Sequence, residues 1–184
     1  PVLEVAIADS GHFGKVCPFN QADLDLHLLN EGQCDLAISG IGLNPAGSNF
    51  ELPTDVDYPL VLAPGSDFTI PVRFKPNPSQ ECSDVSLRTA TLTVLSDDVP
   101  DVDIDIKGLM PCPHLEIDPA GLTGDFAFPP TVMDLDGSLG CYSERTTTVS
   151  NSGDCPLVID SISAADDFTV MTPSEFPVDL LPGQ

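Results

Sequence analysis

The chain has 184 residues, 41% of them hydrophobic, with 29 acidic side chains against 6 basic ones and a net charge of −23. That apolar share suffices for a packed core, and no apolar run approaches the ~20 residues of a membrane-spanning helix. The acid excess is even: 17 acidic against 5 basic groups over residues 1–112, and 12 against 1 over residues 113–184. It is therefore a coat rather than a tail, and it argues against nucleic acid and anionic membranes as partners. Such a coat favours solubility and cations such as Ca²⁺. The start at Pro1, with neither Met nor a signal-peptide pattern, reads as a processed or trimmed end.

In chain order, period-two alternation marks the strands. Asp23-Leu24-Asp25-Leu26-His27-Leu28 alternates polar and apolar, as do 68–74, 90–94 and 102–107. Each reads as a strand with one buried face. Turn clusters separate them: Asn30-Glu31-Gly32, Ala63-Pro64-Gly65-Ser66, 76–79 and 96–100. With 19 Pro and 14 Gly, long helices are disfavoured. Seven or so short strands per ~110 residues predict an all-β fold, an antiparallel sandwich.

The pattern occurs twice. Asn30-Glu31-Gly32-Gln33-Cys34 returns as Asn151-Ser152-Gly153-Asp154-Cys155, and Leu36-Ala37-Ile38 as Leu157-Val158-Ile159. Phe50 matches Phe168, Leu62-Ala63-Pro64-Gly65 matches Leu180-Leu181-Pro182-Gly183, and Pro1–Val5 matches Pro113–Ile117. This predicts two tandem modules, 1–111 and 112–184, the second containing only its N-terminal part. Its missing strands are expected from further residues of the same protein or from a neighbouring chain that donates them. The Pro-containing segment Gly108–Cys112 reads as a short linker.

Module one carries His12-Phe13-Gly14-Lys15-Val16, Leu28-Leu29-Asn30-Glu31-Gly32, Leu36-Ala37-Ile38, Phe50, Leu62–Ser66, Val72-Arg73-Phe74-Lys75-Pro76 and Ala90–Val94 followed by Ser96-Asp97-Asp98. This string resembles the immunoglobulin-like ASH/major-sperm-protein-like domains, in particular those of bacterial choice-of-anchor D surface proteins. Module two departs from it, with Leu135-Asp136-Gly137-Ser138 where a Phe-Gly step is expected. The resemblance implies tandem immunoglobulin-like sandwiches that bind or space rather than catalyse. It assigns a split first strand (2–8 and 12–16), then strands at 22–29, 35–43, 50–52, 67–75, 88–95 and 101–107.

On that strand assignment, Cys17–Cys34 and Cys141–Cys155 would each span a whole strand of more than about 20 Å, far beyond disulfide reach. Loop placement in the implied sandwich instead pairs Cys17 with Cys82 and Cys112 with Cys155, leaving Cys34 and Cys141 unpaired by truncation. Disulfides imply an oxidising compartment, the cell surface or outside. The alternative, zinc, has only Cys112-Pro113-His114 as neighbouring ligand types and no paired CxxC.

No GxSxG, HExxH or P-loop occurs, so His12, His27 and His114 read as surface groups. Asp97, Asp98 and Asp101 share a turn and form the candidate Ca²⁺ site; Asp101, Asp103 and Asp105 share a strand face that could bind cations as a stripe but reads rather as the polar face of an outer strand, where charge discourages edge pairing. Asp134, Asp136, Asp166 and Asp167 are equivalent candidates in module two, and EF-hand spacing is missing throughout. Without Trp, and with only Tyr58 and Tyr142, no aromatic platform for sugar is visible. The expected function is a non-catalytic extracellular module of a bacterial surface protein, a stalk, adhesin or filament subunit, whose partners are neighbouring modules or like subunits, with no cofactor beyond Ca²⁺. The alternatives are a carbohydrate- or protein-binding module of a larger secreted protein, and a cytoplasmic ciliary module of the same fold.

Overall fold

The computed structural model describes residues 1–46, 49–77, 85–118, 146–164 and 169–184. They divide into two compact units, Pro1–Cys112 and Pro113–Gln184.

The first unit is an immunoglobulin-like β-sandwich. One sheet has the order β1-β3-β7-β5, built from Leu3–Ile7, Ala22–Asn30, Asp67–Phe74 and Phe50–Glu51. The other has the order β2-β9-β8-β4-β6, built from His12–Lys15, Val102–Pro111, Val85–Ser96, Leu36–Asn44 and Leu60–Leu62. All pairings are antiparallel except β2 with β9, which is parallel. The alternating runs place their apolar residues between the sheets: Leu26, Leu28, Ile70, Val72, Leu92, Val94 and Ile106 are all fully buried.

The split first strand changes sheets within one short 3₁₀ turn, Ala8–Gly11. Asp9, Ser10 and Gly11 all adopt positive φ there. At Gly11 a β-carbon would stand 2.9 Å from the Asp105 carbonyl oxygen, so only glycine lets the crossing pass this close to β9.

Phe13, Phe50 and Phe74 form a tilted aromatic trio that plugs the core, with ring centroids 4.9 to 5.8 Å apart. At the opposite end of β3, the fully buried Asn30 clamps three segments. Its amide nitrogen donates to the Cys34 and Leu62 carbonyls (2.8 and 2.9 Å), and its Oδ1 accepts from the Gly32 and Val2 N–H groups (3.0 and 3.4 Å). A buried primary amide is tolerable because nearly all its bonding capacity is met.

The second unit repeats that clamp. Asn151, also fully buried, donates to the Cys155 and Leu180 carbonyls (2.7 and 3.0 Å) and accepts from Gly153 and His114 N–H (3.0 and 3.2 Å). The backbone agrees. Asn30 N–H donates to Ser66 and its carbonyl accepts from Gly65, while Asn151 N–H donates to Gln184 and its carbonyl accepts from Gly183. Around the clamp lie two ribbons, β10 (Leu115–Asp118) with β11 (Thr148–Asn151), and β12 (Leu157–Ile159) with β13 (Val178–Leu180). Leu115 and Ile117 are 48% and 53% exposed, so this ribbon leaves apolar surface uncovered among the described residues.

Two expectations need correction. Gly108–Cys112 is no linker: β9 runs on to Pro111 against β8 up to Val85, and Met110 is fully buried. Pro111 is tolerated because the backbone position without an N–H faces the β2 side of β9, beyond the last paired residue Leu109, which is why it misled. The strand Leu60–Leu62 also escaped notice, because three residues are too few for alternation to register. Phe168, the expected counterpart of Phe50, lies outside the described residues.

Candidate functional site

The outer face of the five-stranded sheet is a ladder of hydroxyls and carboxylates. Thr91 lies opposite Asp105 and Thr93 opposite Asp103, and each Thr hydroxyl donates to its carboxylate at 3.1 and 2.6 Å. These are cross-strand pairs that use the carboxylates locally. The Asp97–Asp101 turn is tied down similarly: Asp98 accepts from Ala37 N–H at 2.9 Å, and Asp101 from Ser96 N–H at 3.3 Å. Among the described residues no three His, Cys, Asp or Glu side chains come together in a way that could hold a metal, so Asp97, Asp98 and Asp101 are not assembled as ligands. Asp134, Asp136, Asp166 and Asp167 lie outside the described residues.

On the four-stranded sheet Asp23 receives two parallel hydrogen bonds from Arg73, at 2.8 and 2.9 Å. That bond, and then the guanidinium charge, hold the Asp23 carboxyl below its ordinary range. Glu31 moves the other way, raised by a hydrogen bond with Glu4 and then by its like charge. His27 shares a hydrogen bond with the Thr69 hydroxyl (3.0 Å) on the same exposed face, and His12 is exposed at the start of β2. His114 contributes its backbone to the Asn151 clamp.

Cys17, Cys112 and Cys155 are disulfide-bonded, whereas Cys34 is a free, exposed thiol. Cys82 and Cys141 lie outside the described residues.

Two concavities open among the described residues of the first unit. One, of about 580 Å³, opens at the turn after β2, beside the exposed Phe19. The other, of about 470 Å³, lies between β6, β7 and the 53–57 loop, with an apolar lining that includes Leu60, Phe68 and Ile70 and two carboxylates, Asp55 and Asp57. Burial raises the nearby Tyr58 hydroxyl above its ordinary pKa. Sequence reasoning missed this groove; its one signal was Pro71, a residue without an N–H in the middle of an otherwise regular strand.

No protein-family model matches the sequence, and no curated protein does. Among solved structures, a family 123 glycoside hydrolase from Clostridium perfringens aligns with 59% of this chain and 27% of its own, at 7% identity and a TM-score of 0.44. A FixG-related protein from Vibrio parahaemolyticus aligns with 59% of this chain and 94% of its own (9% identity, TM-score 0.40). A human ASH/PapD-like domain aligns with 58% and 84% respectively (11% identity, TM-score 0.36). The chain thus spans about a quarter of the hydrolase. Likenesses this distant carry no argument about function, and the immunoglobulin-like assignment rests on the strand order itself.

Proposed function

We propose that the chain is a non-catalytic protein-interaction module of an extracellular bacterial surface protein, a stalk, adhesin or filament segment assembled from tandem immunoglobulin-like units. The observation that carries the reading is the state of the cysteines. Three of the four described ones are in disulfides. Disulfides persist in oxidising surroundings, outside the cytosol. The repeated Asn clamp supports the tandem arrangement. The acidic coat, with its carboxylates paired to hydroxyls, backbone and Arg73, supports a scaffold rather than a reaction centre. Alkylation of the native, unreduced protein followed by intact-mass measurement tests the reading. Only Cys34 and Cys141 should react. Reaction of all six cysteines would overturn it in favour of a cytoplasmic module of the same fold, and specific binding on a glycan array would replace it with a carbohydrate-binding one.

A further inference from the structure

Among the described residues, β7 is paired along its whole length on one side only. β3 covers it from Asp67 to Phe74, whereas β5 reaches only Arg73 and Phe74 on the other side. The direction of each backbone group follows from two hydrogen bonds: Lys75 N–H donates to Asn49 on the β5 side, and the Ser66 carbonyl accepts from Asn30 on the β3 side. Alternation then turns the N–H and C=O groups of Asp67 and Thr69, and the carbonyl of Pro71, toward the side where no described strand pairs with them. Pro71 has no N–H to leave unmet there, so it is tolerated at this position.

The 470 Å³ groove runs along this open stretch. Phe68 and Ile70, pointing to the inner face of β7, join Leu60 and Val56 as its apolar lining, while Asp55 and Asp57 supply charge and no basic side chain among the described residues lines it. An open row of backbone donors and acceptors beside an apolar trough is the geometry that accepts an added strand. Backbone bonds would supply the affinity, and the trough would read every second side chain.

We propose that this groove seats an extended segment of a partner protein as an additional strand on β7. The segment alternates apolar residues, which enter the trough against Val56, Leu60 and Phe68, with Lys or Arg, which answer Asp55 and Asp57. The inference rests on the protein-interaction reading and adds to it a place and a partner chemistry. It concerns the side of the four-stranded sheet opposite β1.

The test uses the isotopically labelled chain and a blocked synthetic peptide, Lys-Val-Lys-Val-Lys-Val-Lys. Saturable amide shifts should concentrate at residues 53–60 and 67–71. Thr69→Pro deletes one backbone N–H, on the open side, together with the hydroxyl's bond to His27, so it should leave the spectrum unchanged outside the surroundings of Thr69 and His27 and weaken binding about tenfold or more. The double reversal Asp55→Lys, Asp57→Lys should weaken binding of the basic peptide and improve that of the Glu-Val counterpart, without touching the backbone. A peptide with a central Pro should bind far more weakly. Equal binding of the Pro-interrupted peptide would mean charge attraction alone and would overturn the inference, as would absence of binding. Shifts confined to another surface would sink the groove while leaving the interaction-module reading standing.

Discussion

Phe74 occupies the space that a side chain on Gly108 would need: a β-carbon there would stand 2.5 Å from Cδ1 of the ring. The two residues lie on opposite sheets, and their contact sets the spacing of the sandwich at its aromatic end. Gly108→Ala should therefore destabilise the first unit by about 1–3 kcal/mol through overpacking. Urea denaturation of the single variant, of Phe74→Leu and of the double variant checks this. The smaller side chain at position 74 should relieve much of the cost of the added methyl group, and strict additivity would show that the contact is not the cause.

The Asn clamps make a second, paired expectation. Asn30→Ala removes two donated and two accepted hydrogen bonds inside the fold, which should cost about 2–4 kcal/mol, since the abandoned carbonyls stay buried. Asn151→Ala should cost a similar amount in the second unit. Amide exchange separates the two effects: Asn30→Ala should accelerate exchange at Gly32 and Val2, and Asn151→Ala at Gly153 and His114. Acceleration confined to neither clamp would mean that the repeated geometry is not a repeated source of stability.

The disulfides are expected to be Cys17–Cys82 and Cys112–Cys155. Val16 N–H bonds to Leu109 of β9, and β8 begins against the end of β9 at Val85, three residues after Cys82. Cys112 precedes His114, whose N–H is held by Asn151, and the same Asn151 binds the Cys155 carbonyl. Non-reducing peptide mapping should recover these two pairs, and reduction should cost about 2–4 kcal/mol for each. A Cys17–Cys141 peptide would refute the pairing.

Two carboxylates should give opposite pH dependences. Glu31 is raised by Glu4, so the folded chain holds that proton more tightly than the unfolded one. Its stabilisation is complete below the ordinary value of 4.5 and is lost as pH rises through the raised folded value. Glu31→Gln should melt above the parent at neutral pH and no higher than it in acid. Asp23 is lowered by Arg73, so its contribution is present above 3.8 and disappears as pH falls through the lowered value. Asp23→Asn should melt slightly below the parent at neutral pH, with the gap closing in acid. Melting curves across pH that run parallel for parent and variants would contradict both assignments.

What could be read from the residues followed the strength of the local signal. Alternation over six or more residues located β3 to within a residue at both ends and the start of β9 equally well, because a half-buried strand leaves period two in its own sequence, whereas the last four residues of β9, Gly108–Pro111, carry no such alternation and were missed. The split first strand was legible only through the resemblance that His12-Phe13-Gly14-Lys15-Val16 helps to carry, and the repeat in the Asn-x-Gly-x-Cys echo. The chemistry of Asn30 was not legible. A buried amide that clamps distant carbonyls looks, in sequence, like any turn Asn, since its partners Val2 and Leu62 are far along the chain. The groove escaped for the same reason: an open strand edge is made by what fails to pair with β7, and no residue encodes that failure except Pro71.

The parallel pairing of β2 with β9 bears on how the first unit would carry load. A pull on Pro1 reaches β2 through β1, while a pull on Cys112 reaches β9 directly, and the two strands run the same way. Opposed forces at the two ends would therefore slide these strands lengthwise, straining their hydrogen bonds together instead of opening them one after another. The Val16 N–H bond to Leu109 at 2.9 Å belongs to that set. In a unit threaded this way, tension between Pro1 and Cys112 would fall on the β1–β3 and β2–β9 pairings at the margins of the unit before it reached the core.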